Sequence, residues 1–224
     1  MCFGGLRMQT AQLPIILRRI RKAIKGWPTP VVTEISNQLD PFRVLVSCLL
    51  SLRTKDKNTK AASKKLFDLA DTPQKIIKLD SKQIETAIYP VAFYRNKTLR
   101  LHQICETIIN SHQGSVPKTL DQLMKLKGVG RKTANLNLIL GHGKPGICVD
   151  THVHRISNRW GYVKTESPDA TEKILRKKLP KRYWMEYNNL LVSFGQNMCK
   201  PQSPHCSDCF ISEYCKQIGV KGYR

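Results

Sequence analysis

Four of the chain's eight cysteines crowd together near its end, as Cys199, Cys206, Cys209 and Cys215. Their spacing is C-x6-C-x2-C-x5-C, in a short loop that also holds Pro201 and Pro204. Four thiolates so close together need a cation to hold them. Zinc is more often bound by two C-x2-C pairs set well apart. One such pair with an outlying cysteine on each side suits a cubane iron–sulfur cluster better, with zinc as the second reading. Disulfides come third, because nothing marks the chain as secreted. Cys2, Cys48, Cys105 and Cys148 are scattered in mostly apolar surroundings and read as inert, buried thiols.

The rest of the chain is patterned as helix. Ile16, Ile20 and Ile24 share one face of a first helix. Asp40-Pro41 reads as cap and first turn of a helix running to about Leu52. Helical segments follow near 56–70, from Thr72-Pro73 and from Ser81. Tyr94 to His112 is the longest, with Leu101, Ile104, Cys105 and Ile108 on one face. Leu120 to Leu126, Arg131 to Leu140, Thr151 to Trp160, Asp169 to Leu179 and Arg182 to Phe194 complete the set. There is no strong strand signal, repeat or low-complexity stretch, so the pattern predicts an all-α protein. The longest apolar run, Val44 to Leu50, is interrupted by Ser47 and Cys48 and falls far short of a membrane span.

The formal net charge of +22 selects among partners for such a protein. Like charges repel in a compact fold, so an excess of this size serves to attract a polyanion, with nucleic acid first and an anionic membrane second. Residues 1–33 carry six lysines and arginines and no acid, and Asp150 is the only carboxylate between Asp121 and Glu166. An acid alone in a basic stretch suggests function, although Asp150-Thr151 would also make a helix cap.

Lys127-Gly128-Val129-Gly130-Arg131-Lys132 lies between two predicted helices. Glycines allow a tight reversal and close approach of another backbone. N–H groups at the start of the second helix then face outward and can bind phosphate without reading sequence. An ordinary helix–helix turn has the same glycines; the flanking Lys127, Arg131 and Lys132 add the case for phosphate. Lys132 stands at a helix start among other cations, surroundings that favour the neutral amine. A neutral amine can attack a carbonyl-like carbon and form a Schiff base. A phosphate-binding or solvated lysine is the plainer alternative.

Leu126 to Ala134, then Val149-Asp150-Thr151-His152, then the cysteine loop, in this order and spacing, resemble the endonuclease III family of helix-hairpin-helix DNA glycosylases. The resemblance runs from about Ile15 to Cys215. It implies two helical lobes, a barrel lobe with the hairpin over 34–144 and a second lobe from 1–33 and 145–224, with DNA across the cleft between them. It implies that Cys199, Cys206, Cys209 and Cys215 bind a 4Fe-4S cluster, that Lys132 is the nucleophile and that Asp150 assists it. Arg53, in Ser51 to Asp56, matches the residue that enters the gap left by a flipped nucleotide, often glutamine in the family. Phe93 matches the apolar wedge against the opposite strand, often leucine. DNA contacts are further expected from Lys127, Gly128, Val129, Gly130, Arg131, His152 and Lys200. Lys127 stands where a proline is common. Lys200 and His205 leave the cysteine loop with fewer cations than is usual.

The activity implied is bifunctional: release of an oxidised pyrimidine and cleavage of the abasic site, on double-stranded DNA, by a monomer. A monofunctional glycosylase for mismatched thymine or uracil is the rival on the same scaffold. A non-catalytic DNA-binding iron–sulfur protein is the rival from another class. Free cysteines and the lack of a visible secretory signal suggest the cytoplasm of a prokaryote, at the nucleoid.

Overall fold

A computed structural model describes residues 8–27 and 40–224. Among them every regular element is helical, and no strand forms. The chain divides into two compact units. A central unit is continuous, Val31–Gly146, and a terminal unit joins both chain ends, Met1–Pro30 and Ile147–Arg224. The expected lobe boundary between 33 and 34 lies outside the described residues. None of the described helices is long and apolar enough to cross a membrane.

The terminal unit opens with α1 (Leu13–Ile24), where Ile16 and Ile20 are buried as their spacing predicts. In the central unit α2 (Pro41–Ser51) starts where Asp40 accepts from Phe42 and Arg43 N–H and Pro41 takes the first turn. Nearly all of α2 is buried, so it forms the axis of this unit. It packs on α3 (Asp56–Leu69), α6 (Tyr94–His112) and α8 (Arg131–Leu140). Between them lie α4 (Pro73–Ile76), capped by Thr72, α5 (Ser81–Ile88), capped by Asp80, and α7 (Leu120–Lys125), capped by Thr119. Each cap oxygen takes one of the N–H groups that a helix start leaves without an internal partner. Leu45, Leu49, Leu66, Ile88, Leu101, Ile104 and Leu138 fill the core.

The terminal unit continues with α9 (Thr151–Arg159), α10 (Pro168–Lys178) and α11 (Trp184–Asn197), with α11 packed against α1 and α9. Its core holds Leu17, Val153, Ile156, Trp160, Tyr187, Leu191 and Phe194. The last helix starts later than the expected Arg182. Tyr183 N–H bonds to the Pro180 carbonyl at 3.0 Å, which makes Lys181–Tyr183 a 3-10 turn. The Trp184 indole then donates to the Leu179 carbonyl at 2.8 Å, and the α-helix begins there. Cys48, Cys105 and Cys148 are buried, as expected, whereas Cys2 lies outside the described residues.

Candidate functional site

The glycine hairpin joins α7 to α8 in the central unit. Gly128 has φ +82°, a left-handed conformation that a side chain would strain. Gly130 precedes α8 and no side chain caps the helix, so its first N–H groups look outside the helix for acceptors. Lys127, Gly128 and Gly130 are exposed, and Arg131 is half-buried. Val129 points the other way: its side chain is buried and its N–H is spent on the Leu126 carbonyl at 3.0 Å. It anchors the hairpin from beneath. Lys132 is exposed at the second position of α8. Its charge reaches Cys48 of α2, where burial pushes the thiol up to about 12 and the lysine opposes that shift.

Two further predicted contacts share one surface of the same unit. Arg53 and Phe93 are both exposed and both left-handed, with φ 55° and 57°. Non-glycine residues rarely hold this conformation, and it concentrates at functional positions. The Arg53 guanidinium carbon lies 5.9 Å from the centre of the Phe93 ring, so two turns far apart in sequence meet at their tips. Beneath them Lys97 is buried, with its ammonium donating to the Leu50 carbonyl at 2.8 Å, the Leu52 carbonyl at 2.7 Å and Thr54 Oγ1 at 3.2 Å.

In the terminal unit Asp150 caps α9, with Oδ1 accepting from Val153 N–H at 2.9 Å. The lone acid of the basic stretch is therefore a helix cap in fact, and one carboxylate oxygen is engaged in that task. His152 faces inward against α11: a Cβ at Gly195 would lie 2.4 Å from its Nδ1, so only glycine fits there. The same Nδ1 is 3.0 Å from Arg155 Nη2, which also donates to the Cys199 carbonyl at 2.8 Å. Arg159, buried at the end of α9, donates to the Lys200 carbonyl at 2.6 Å, the Pro201 carbonyl at 2.7 Å and Cys199 Sγ at 3.4 Å.

Cys199, Cys206, Cys209 and Cys215 line one pocket with Trp160, Phe194 and Pro204. All four are free thiols, which removes the disulfide reading. Four thiols around one cavity suit a cluster bound through cysteine sulfurs. Burial pushes Cys209 up to about 11 and Cys215 up to about 12, so these thiols need a cationic centre before they ionise. Arg159 and the Gln217 N–H, which donates to Cys215 Sγ at 3.4 Å, supply hydrogen bonds to the sulfurs.

Residues 46–181 match the HhH-GPD superfamily of base excision DNA repair proteins. Residues 199–215 match the iron–sulfur binding domain of endonuclease III. The endonuclease III of Thermotoga maritima is 48% identical over 90% of this chain and 92% of its own length. The chain belongs to the endonuclease III family. Its structure superposes on a trapped endonuclease III–DNA covalent intermediate with a TM-score of 0.82 and 33% identity, over 93% of this chain and 96% of that one. A thermostable thymine-DNA glycosylase shares the fold at a TM-score of 0.81, with 23% identity over 92% of this chain and 95% of that one. As an endonuclease III, the protein is a bifunctional DNA glycosylase and abasic-site lyase for oxidised pyrimidines, and its loop 199–215 binds a 4Fe-4S cluster.

Several contacts at the candidate site escape a sequence reading. Lys97, Arg155 and Arg159 belong to no motif, yet each turns inward to bond backbone carbonyls of another segment. Thr54 lies in the Ser51 to Asp56 segment, but nothing in sequence marks its hydroxyl as the link between two turns. Lys200 contributes its carbonyl to Arg159, and its half-buried side chain is left to the surface.

Proposed function

We propose that Lys132 is the nucleophile and Asp150 its partner, and that each of the two lobes, 34–144 and 1–33 with 145–224, brings one of them. The observation that carries this is an exposed lysine on an uncapped helix start directly after the glycine hairpin. The hairpin N–H groups and Lys127 hold a phosphate of the damaged duplex, Arg53 enters the gap left by the flipped nucleotide, and Phe93 wedges against the opposite strand. The Lys132 amine forms a bond to the sugar C1′ as the bond from C1′ to the base breaks, and the base leaves with the bonding electrons. Asp150, through the oxygen that does not cap α9, takes a proton from the amine or stabilises positive charge on the sugar. Ring opening gives an imine. Loss of a proton from C2′ then expels the 3′ phosphate and cuts the strand. When bound, the cluster supplies iron–thiolate bonds that cross-link loop 199–215.

The protein acts as a monomer on double-stranded DNA at the nucleoid in this reading, with Lys200 contributing at the edge of the contact surface. The test is a duplex with one thymine glycol incubated with borohydride. Wild type is expected to form a covalent complex, and Lys132→Ala to form none while still binding the duplex. Trapping by Lys132→Ala would end the assignment. Base release from a G·T or G·U duplex without strand cleavage, and no trapping, would favour the monofunctional mechanism.

A further inference from the structure

Arg53 and Phe93 come from turns about forty residues apart in sequence, and each is held in a left-handed conformation that residues with a side chain rarely adopt. Left alone, both turns would relax. What opposes that is beneath them. Thr54 Oγ1 donates to the Leu52 carbonyl at 3.3 Å and accepts from the Ala92 N–H at 3.2 Å, which joins the first turn to the second. Its remaining acceptor position faces the Lys97 ammonium at 3.2 Å. The other two ammonium protons reach the Leu50 and Leu52 carbonyls, so Lys97 also caps the C-terminal end of α2. Three donors meet three oxygens, and the side chain is 4% exposed.

We propose that Lys97 is a positioning residue for lesion recognition, clamping the turn that carries Arg53 to the turn that carries Phe93 and so fixing the spacing of the two side chains that enter the duplex. The inference rests on the reading of Arg53 and Phe93 as DNA contacts given above. Geometry explains the residue type. The acceptors converge on one point, which suits a compact ammonium and not the planar fork of arginine. Burial, with the Arg100 charge nearby, pulls Lys97 down to about 8.

The experiment uses the cluster-loaded protein and one abasic site, presented in a duplex and in a single strand. A single strand has no stack to open, so the ratio of imine trapping on duplex to trapping on single strand isolates the recognition step. Lys97→Met is expected to lower that ratio roughly tenfold or more. Thr54→Val, a smaller change, should lower it a few-fold and stands in if Lys97→Met folds poorly. In an Arg53→Ala/Phe93→Ala background neither change should lower it further, because nothing remains to be positioned. An unchanged ratio in both variants, or effects that simply add to those of the tip substitutions, overturns the proposal. If the tip substitutions themselves leave the ratio unchanged, the reading of Arg53 and Phe93 fails, and the clamp with it.

Discussion

Each unit of the molecule holds one functional loop by a buried cation that donates to backbone carbonyls, and the two cations differ. In the central unit Lys97 bonds the Leu50 and Leu52 carbonyls. In the terminal unit Arg159 bonds those of Lys200 and Pro201 and reaches the ligand sulfur of Cys199 as well. The turn over Lys97 is ordered by protein alone. The loop over Arg159 has the cluster as a second tie. A lysine can lose its charge within reach of ordinary pH, whereas an arginine keeps it. Burial pulls Lys97 down to about 8, so the turn that it holds rests on a charge that titrates.

The sharpest way to break this pairing is Arg159→Ala. It leaves two part-buried carbonyls and the Cys199 sulfur without their donor, and a loss of about 3 kcal/mol in unfolding free energy is expected. The iron–sulfur absorbance should decay faster in the same variant. Wild-type stability and absorbance would show that the cluster alone orders the loop. Next is Asp150→Asn, at the opposite end of α9 from Arg159. Asparagine caps a helix about as well as aspartate, so melting temperature and cluster content should hardly change, while the single-turnover rate falls roughly a hundredfold. A near-normal rate would reduce Asp150 to its cap.

The smallest effect concerns the titrating cation. Native Lys97 gives up its proton near 8, and the unfolded chain keeps it to about 10.4. Between those values the unfolded state binds more protons, so the lysine's contribution to stability rises with pH, by less than about 1.4 kcal/mol per pH unit. The difference in unfolding free energy between wild type and Lys97→Met should therefore grow from pH 8 upward. A flat difference would mean that the three oxygens keep Lys97 charged, and that the two cations behave alike.

Sequence patterning carried the helices far. Asp40, Thr72 and the run from Tyr94 to His112 gave caps and bounds that the structure repeats. It failed at Arg182, where a 3-10 turn held by the Pro180 carbonyl precedes the helix. At the site, hairpin, Asp150 and cysteines were visible because each is a local arrangement of residue types. The inward cations were not. Lys97, Arg155 and Arg159 belong to no motif, and what turns them inward is a set of carbonyls from other segments. His152 is a similar case: next to Asp150 in sequence it looks like a surface contact, but Gly195 opens room for it to pack against α11.

The left-handed arginine has a consequence for how this protein can change. Glycine or asparagine at position 53 would hold φ 55° with less strain. A selection for heat resistance alone should find those replacements and a similar relief at Phe93. On the proposed reading of Arg53 and Phe93 as DNA contacts, such variants would survive higher temperatures as better-folded proteins and worse repair enzymes, so thermal adaptation and genome maintenance would pull on the same residues in opposite directions.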